Sequence, residues 1–266
     1  MHNSDILLTL IQERQPDLLI LCEAAKLDSD SFLSSLAALG EEWKPLELCP
    51  KGDIRFFARA SLNASIHEEE SRNSSCILHC RGSEILVHAL HLKSRTNNSI
   101  GSLSSDAQLI AEKLADIERN FFCGVNPEKY KTLVVGDFNL QPYDRGIAGI
   151  NAFNATMSEE KATQLDRKRD KKKNLFYFNP TWALMGRHGR VQGSYYYSGD
   201  SDGLSIFWYS FDALLLRPSL IPAFTWSTFD YLTQIGNISL LTENHIINKT
   251  YSDHLPLLFE LQEDAL

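Results

Sequence analysis

The sequence predicts an α/β fold in one domain of 266 residues. Segments with helical and strand periodicity alternate in the first half of the chain, short strands dominate the second half, and polar residues follow several apolar runs. A chain of this length can bury a substantial core. No internal repeat or linker divides it, so residues 1–266 are interpreted as a single domain.

The individual elements follow from periodicity and from residues that begin or end helices. Ser4 can cap the first helix, Gly40 ends the second, and Gly124 lies just past the third. The predicted helices are 4–15, 31–39 and 104–121. The predicted strands are 18–22, 54–58, 76–80, 85–90, 133–135, 213–216 and 257–261. The run at 18–22 is continuously apolar, which is typical of a strand buried on both faces.

The composition excludes some functions and limits others. Hydrophobic residues make up 43% and charged residues 23%, as in ordinary globular proteins, and no apolar run is long enough to span a bilayer. The formal net charge of −8 is unsuited to non-specific coating of nucleic acid. A polyanionic substrate would therefore have to be met by a local basic patch or by a metal ion.

The cysteines and the N-terminal residues predict a cytoplasmic protein. The five cysteines are odd in number, lie mostly in apolar segments and are interpreted as reduced thiols. The first residues lack the pattern of a signal peptide. Zinc binding by Cys76, His79 and Cys80 is the alternative, but no second pair of ligands completes such a site.

Polar residues stand where predicted strands end. Glu23 follows one apolar run, His91 follows another, and Asp137 and Asn139 follow a third. Strand ends in open α/β sheets are where ligand sites form, and carboxylates with an amide suit a hard cation such as Mg²⁺. His254 precedes the last predicted strand. These residues are the candidates for a metal-assisted active site.

Each candidate also has an ordinary structural interpretation. Glu23 can serve in a turn or a helix cap, and Asp137 can form an Asx turn with its own backbone. His91 can be a surface histidine, and the Asp253–His254 pair can belong to a solvated loop. All of these interpretations would have to hold together for the chain to lack a site.

Four motifs resemble the endonuclease/exonuclease/phosphatase superfamily, which includes deoxyribonucleases, abasic-site endonucleases, sphingomyelinases and inositol phosphatases. The motifs are PDLLILCE at 16–23, HLKS at 91–94, GDFN at 136–139 and SDHLP at 252–256. The resemblance implies a four-layer α/β sandwich of two mixed β-sheets flanked by helices. It also implies a Mg²⁺ (or Mn²⁺) cofactor, with Glu23 as the principal metal ligand and Asp253 as a second metal-side carboxylate.

The resemblance also implies catalytic roles. Asp137 and Asn139 resemble the pair that orients the attacking water and contacts the scissile phosphate, and His254 resembles the general base or phosphate-polarising imidazole. Asp212 resembles the aspartate that holds this histidine, although a buried structural carboxylate is the alternative. His91 resembles the second histidine, which hydrogen-bonds a phosphate oxygen. No carboxylate partner for His91 is evident in 54–60, where the family pattern leads one to expect it.

A basic run and an aromatic stretch are the candidates for substrate binding. The run at 166–173 is interpreted either as a solvated loop or as a phosphate-binding patch, and the stretch around Tyr196 either as an aromatic subcore or as a base-stacking surface. The candidate substrate-binding residues are Arg167, Lys171, Lys172, Lys173 and Tyr196.

The sequence thus favours a metal-dependent phosphoesterase that acts on nucleic acid. The alternatives are a phosphatase acting on a lipid or small phosphate ester, and a non-catalytic binding module with the same fold. One further expectation concerns the start of the domain. Family members open with a strand ending in asparagine, for which Asn3 is a poor substitute because it abuts the first helix. A strand upstream of Met1 is therefore expected.

Overall fold

The computed structural model describes residues 3–48, 53–80, 82–169, 172–199 and 205–266. The helices are α1 (Asn3–Arg14), α2 (Ser29–Ala38), α3 (Ile100–Phe121), α4 (Arg145–Ala148), α5 (Glu159–Ala162) and α6 (Trp182–Met185). The first strands are β1 (Leu18–Leu21), β2 (Trp43–Leu46), β3 (Arg55–Arg59), β4 (Ala64–Glu69), β5 (Asn73–Cys80), β6 (Ser83–His91) and β7 (Thr132–Asp137). The next are β8 (Ala155–Thr156), β9 (Asp166–Arg169), β10 (Lys172–Leu175), β11 (Tyr177–Phe178), β12 (Tyr195–Tyr196), β13 (Trp208–Tyr209) and β14 (Asp212–Leu216). The last are β15 (Asp230–Tyr231), β16 (Gln234–Ile235), β17 (Ile238–Ser239) and β18 (Leu257–Leu258). None of the helices in these ranges combines the length and hydrophobicity that crossing a bilayer requires.

Seven strands form the larger sheet, in the order β4-β5-β6-β7-β14-β11-β8. The pairs β6–β7 and β11–β8 are parallel, and the other pairs are antiparallel. The sheet is therefore mixed, as predicted. Because β14 runs against both β7 and β11, the strands β6, β7, β11 and β8 all point the same way. Their carboxyl ends consequently meet at one edge of the sheet.

The smaller sheet has the order β1-β3-β2 among the described residues. Its pairs are antiparallel, so this sheet is not mixed. Phe57 of β3 contacts Phe32 of α2, with ring centroids 5.1 Å apart. The neighbouring Phe56 points to the opposite face because side chains alternate along a strand. The small sheet therefore has helices on one face and faces the large sheet with the other.

Two apolar cores flank the large sheet. Leu90 of β6 and Val134 of β7 pack on one face against α3. Their neighbours Val87 and Val135 lie on the other face, in the larger core shared with the small sheet, α1 and α2. The layers run α3, large sheet, small sheet, α1 with α2. The α/β sandwich predicted from the sequence is confirmed.

A buried ion pair fastens α3 to the large sheet. Arg217, directly after β14, donates to both carboxylate oxygens of Glu118 at 2.8 and 2.6 Å, and its guanidinium lies 3.7 Å from the ring centre of Tyr177. Burial of such a pair is tolerated when both charges are hydrogen-bonded. The pair holds α3 in a fixed position across the sheet.

Two segments differ from their predicted structure. The basic run forms the hairpin β9–β10, with its strands in antiparallel register, instead of a loop. The last predicted strand, 257–261, is reduced to β18, which pairs with β15, and an isolated bridge between Leu261 and Phe224. The C-terminal segment contacts several short partners in turn, so a continuous ladder does not form.

A cleft of about 1900 Å³ lies beside the outer edge of β1. The strand lines one wall, the segment 255–261 lines another, and Glu23 and His254 also border the cleft. The β1 residues are only half-buried, although their apolar run predicts burial on both faces. The reason is that β1 is the edge strand of its sheet and the cleft lies along its open side.

Candidate active site

Three neighbouring strands place the central residues of the site side by side. His91 ends β6, Asp137 ends β7, and Asp212 begins β14. The register pairs His91 with Asp137 and Asp137 with Asp212. Residues so far apart in the sequence are therefore held on adjacent strands about 5 Å apart. This edge of the sheet is where the strand-end residues were predicted to gather.

Gly136 allows β6 and β7 to approach closely at this edge. Its φ of 137° is strained for residues with a side chain, and a Cβ there would overlap the carbonyl oxygen of Leu90. A larger residue would push the two strands apart and displace Asp137 from His91. The glycine of the GDFN motif is thus required by packing.

Asp137 and Asn139 form a tight turn at the end of β7. The backbone N–H of Asn139 donates to Asp137 Oδ1 at 2.8 Å, and its side-chain amide donates to Asp137 Oδ2 at 2.8 Å and to the Leu92 carbonyl at 3.0 Å. Asn139 has a positive φ of 49°, which asparagine tolerates better than most residues. The Asx-turn interpretation is therefore correct, and the turn fixes both side chains at the site.

Asp212 holds His254. Its carboxylate lies 2.7 Å from His254 Nδ1. The aspartate backbone is itself anchored, since its N–H donates to Ser194 Oγ at 3.0 Å and its carbonyl accepts from Tyr231 Oη at 2.8 Å. The imidazole also lies against Tyr195, with ring centroids 4.9 Å apart. His254 is therefore held in one orientation, with Nε2 left for a ligand.

Asp53 holds His91, and the sequence did not reveal this partner. Asp53 Oδ2 lies 2.7 Å from His91 Nδ1. The residue stands one position before the window 54–60 in which no partner was evident. Its carbonyl accepts from the Ala24 N–H at 2.9 Å, which ties it to the end of β1. A wider search before the strand at 54–58 would have found it.

Glu23 extends from β1 towards the same cluster. Its Oε1 lies 3.7 Å from His91 Nε2, which in turn lies 3.9 Å from Asp137 Oδ2. Glu23 precedes a short 3-10 helix, but its side chain makes no capping hydrogen bond. The side chain is 78% exposed and borders the cleft, so its carboxylate remains accessible to a ligand.

The electrostatics of the cluster centre on Asp137. Burial raises the pKa of Asp137 to about 7, assisted by the charge of Asp212 and opposed by His254 and His91. Burial alone would lower the pKa of His254, but the charge and hydrogen bond of Asp212, with Asp137 and Asp253, outweigh it and raise that pKa to about 9. The site is rich in carboxylates and favours added positive charge.

The donor set fits a divalent cation. Ligand atoms of Asp137, Asp212 and His254 all lie within 4.8 Å of one another. Carboxylate oxygens are the preferred protein ligands of both Mg²⁺ and Mn²⁺. Asp253 is exposed beside His254. The metal-ligand roles of Glu23 and Asp253 stay predictions.

The alternative zinc site receives no support from the described residues. Cys76 is buried, and burial raises the pKa of its thiol to about 12, which disfavours the thiolate that zinc requires. Cys80 is half-buried, and both are free thiols. The cluster of potential metal ligands found in the described ranges is the one around Asp137.

The predicted substrate-binding residues are not all placed near this cluster. Tyr196 packs against Phe207 and Trp208, and its ring is half-buried against the main core. This placement fits the aromatic-subcore interpretation. Arg167 and Lys173 are exposed on the β9–β10 hairpin. The backbone of Lys172 lies in β10, whereas Lys171 lies outside the described residues.

Comparison with solved structures identifies the fold. The chain is similar to the human Nocturnin catalytic domain with bound sulfate (TM-score 0.54, 17% identity, 98% of this chain and 86% of that chain covered). It is also similar to D. rerio TDP2 complexed with a single-strand DNA product (0.51, 15%, 95% and 88%). A third similar structure is an endonuclease/exonuclease/phosphatase family protein from Bacteroides thetaiotaomicron (0.52, 13%, 97% and 88%). No family model matches the sequence, and no curated protein matches it. The protein has the fold of the endonuclease/exonuclease/phosphatase superfamily, as the four motifs predicted.

Proposed function

We propose that the protein is a divalent-metal-dependent phosphoesterase that hydrolyses phosphodiester bonds in nucleic acid. The observation that carries the proposal is the pair of histidines, His91 and His254, held by carboxylates on either side of buried Asp137. A phosphodiester resists attack because it is anionic, and two oriented imidazoles can donate to the phosphoryl oxygens where charge builds up.

Each residue has a defined task in this proposal. Asp212 and Asp53 occupy Nδ1 of their histidines and leave Nε2 towards the phosphate. His254, with a pKa of about 9, is protonated at neutral pH and donates a hydrogen bond to a phosphate oxygen, which favours its phosphate-polarising role over that of a general base. Asp137 and Asn139 are proposed to orient the attacking water.

Glu23 and Asp253 are proposed to hold a Mg²⁺ or Mn²⁺ ion at the open side of the cluster. When bound, such an ion neutralises phosphoryl charge and lowers the pKa of water. The raised pKa of Asp137 has a direct consequence here, since a neighbouring cation favours the ionised carboxylate. The residues of the site are therefore electrostatically matched to a cation.

Nucleic acid is favoured as the substrate by the exposed basic hairpin. Arg167 and Lys173 provide positive charge on a chain whose net charge is −8, and they are proposed to bind backbone phosphate together with Lys171 and Lys172. The D. rerio TDP2 structure holds a single-strand DNA product. The cytoplasmic location stays a prediction.

The test is a hydrolysis panel of single-stranded DNA, duplex DNA, RNA, a small diester, a phosphomonoester and a phospholipid, with Mg²⁺ present. Glu23→Gln and His254→Ala are expected to lower the rate on the preferred substrate by about 10²–10⁴-fold. The matched controls are Glu112→Gln and His188→Ala, which change exposed residues that have no role in the proposal.

Two outcomes would contradict the proposal. Preferential hydrolysis of the phosphomonoester or the phospholipid would replace nucleic acid with a small ester or lipid as substrate. Binding of nucleic acid without hydrolysis of any substrate in the panel would instead support the non-catalytic binding module.

A further inference from the structure

The catalytic edge of the large sheet continues beyond the active site. The strands β7, β14, β11 and β8 are consecutive in the sheet, and β7, β11 and β8 end at this edge. At about 4.8 Å per strand, the end of β8 lies about 14 Å from the end of β7. The residues that follow β11 and β8 therefore lie beside the site, within reach of a substrate longer than one phosphate group.

Arg95 and Tyr143 are the first side chains along this direction. Arg95 lies over the rings of Phe211 and Tyr209, 5.1 and 5.5 Å from their centres, and Phe211 lies 6.5 Å from the His254 ring. The Arg95 guanidinium also lies 3.3 Å from Asp144, which holds it in place. Tyr143, next in sequence to Asp144, is 50% exposed.

Trp182 is the next side chain after Arg95 and Tyr143, and the three form a row along this edge of the sheet. It begins α6, shortly after β11, and its ring centre lies 6.0 Å from that of Tyr143. The two rings are tilted by 56°. Exposed and half-exposed aromatic rings outside a core are the platforms on which unpaired bases stack.

A pocket of about 490 Å³ lies on the far side of Trp182. Lys161, Gln164, Arg167 and Met157 also line it. Lys161 is exposed and has no ion-pair partner among the residues that the structure describes. Arg167 is held by the Ala148 carbonyl at 3.0 Å. Asp166 also lines the pocket, and its carboxylate lies 3.5 Å from Lys173 Nζ. The pocket therefore offers two cations, a polar amide, an aromatic wall and one carboxylate that is paired with Lys173.

We propose that this row is a track for single-stranded polynucleotide. Bases stack on Tyr143 and Trp182, and a backbone phosphate distant from the scissile bond binds between Lys161 and Arg167. The track rests on the proposed function, because it supplies the strand on which the catalytic residues act. It narrows the proposed substrate to single-stranded polynucleotide and gives a role to Tyr143, Trp182 and Lys161, which had none.

The chemistry of the row favours this ligand over two others. A small phosphate ester would fill only the catalytic end and would leave Trp182 and Lys161 unused. An acyl chain needs a continuous apolar lining, whereas here cations lie at both ends of the two aromatic rings. Unpaired bases present flat apolar faces beside anionic phosphates, and so match both kinds of side chain.

The first experiment measures binding without catalysis. A fluorescent single-stranded DNA of about 12 nucleotides is titrated with the protein in EDTA, and anisotropy is recorded. Trp182→Ala and Lys161→Ala are expected to raise Kd by about 5-fold or more, whereas Trp182→Phe keeps most of the affinity. Lys129→Ala is the matched control, since Lys129 precedes β7 and lies at the opposite edge of the sheet. For Lys161→Ala, the slope of log Kd against the logarithm of the salt concentration should decrease by about 0.7.

The second experiment separates the track from the active site. With Mg²⁺ present, Trp182→Ala is expected to raise KM for the oligonucleotide and to leave hydrolysis of bis(p-nitrophenyl) phosphate unchanged.

An unchanged Kd and KM for DNA in both Trp182→Ala and Lys161→Ala, in folded proteins that still hydrolyse DNA, would overturn the track. A loss of activity on phospholipid vesicles but not on DNA would also overturn it. Failure of the parent protein to hydrolyse any diester would overturn the proposed function. The binding measurements in EDTA would still test the track, because they do not depend on hydrolysis.

Discussion

Asp53 and Asp212 set the orientation of the two histidines that are proposed to bind phosphate. Each carboxylate lies 2.7 Å from the Nδ1 atom of its histidine, yet the two differ in their surroundings. The backbone of Asp212 is fixed by two hydrogen bonds at the start of β14, whereas that of Asp53, two residues before β3, accepts one hydrogen bond, from the Ala24 N–H. His91 therefore depends on a segment outside the regular sheet.

We predict that Asp53→Asn lowers kcat by about 10–100-fold, the usual effect of removing a residue that orients a catalytic or metal-binding histidine. The amide keeps the shape but lacks the charge that fixes the tautomer of His91. The measurement is steady-state hydrolysis of the preferred diester, with Asp116→Asn as the control on the exposed face of α3. A rate equal to that of the parent would remove His91 from the active site.

His88 lies in the same strand as His91, but it affects the stability of the fold and not the active site. It is fully buried, shares a hydrogen bond of 2.6 Å with Ser75, and has its pKa lowered from 6.5 to about 3, first by burial and then by Arg217 and His67. The unfolded chain protonates His88 more readily than the folded protein does. The contribution of His88 to the free energy of unfolding is therefore complete above pH 6.5 and is lost as the pH falls towards 3.

We predict that the free energy of unfolding falls more steeply between pH 6.5 and pH 5 in the parent protein than in His88→Gln. One such histidine contributes a slope of up to about 1.4 kcal/mol per pH unit. Urea unfolding at a series of pH values measures it, and His188→Gln, an exposed histidine, should keep the parent slope. Equal slopes in the parent and His88→Gln would show that His88 does not titrate as described.

At the scale of elements, β1 is an edge strand, and one of its two sides has no paired strand among the described residues. The Arg59 N–H bonds to the Asp17 carbonyl, so the alternation of an antiparallel ladder directs Leu19 and Leu21 towards β3. Leu18 and Ile20 consequently present their backbone groups to the cleft. An open edge of this kind is a pairing site for another strand.

We predict that the amides of Leu18 and Ile20 exchange with deuterium much faster than those of Leu19 and Leu21, because only the latter face a paired strand. Hydrogen exchange resolved by NMR measures this. Equal protection of all four amides would contradict the open edge.

The sequence predicted best those elements whose pattern of apolar residues extends over many consecutive positions. The periodicity of α3 and the apolar runs of β6 and β7 located these elements to within a few residues, and with them His91 and Asp137. Asp53 was missed because its contact with His91 spans 38 residues and joins the start of β3 in the small sheet to the end of β6 in the large sheet. The hairpin β9–β10 was not predicted because its charged strands carry no apolar alternation.

At the scale of the whole molecule, the distribution of charge bears on how an acidic protein could bind the proposed polyanionic substrate. The net charge is −8, and carboxylates from four separate segments meet at Glu23, Asp53, Asp137 and Asp212. Without a counterion this end of the fold would repel a phosphate. In the proposed function a bound cation would reverse the local field, and the basic hairpin and the pocket beside Trp182 would attract the remainder of the strand.

The most direct test of the account is therefore the metal dependence of hydrolysis. Single-stranded DNA is incubated with the protein after removal of divalent ions by EDTA, and then again after Mg²⁺ or Mn²⁺ is restored. The predicted result is loss of cleavage on chelation and recovery on restoration in the parent protein, with little recovery in Glu23→Gln at the same Mg²⁺ concentration. Cleavage that continues at the full rate in EDTA, in a preparation where His254→Ala abolishes it, would contradict a metal-dependent phosphoesterase.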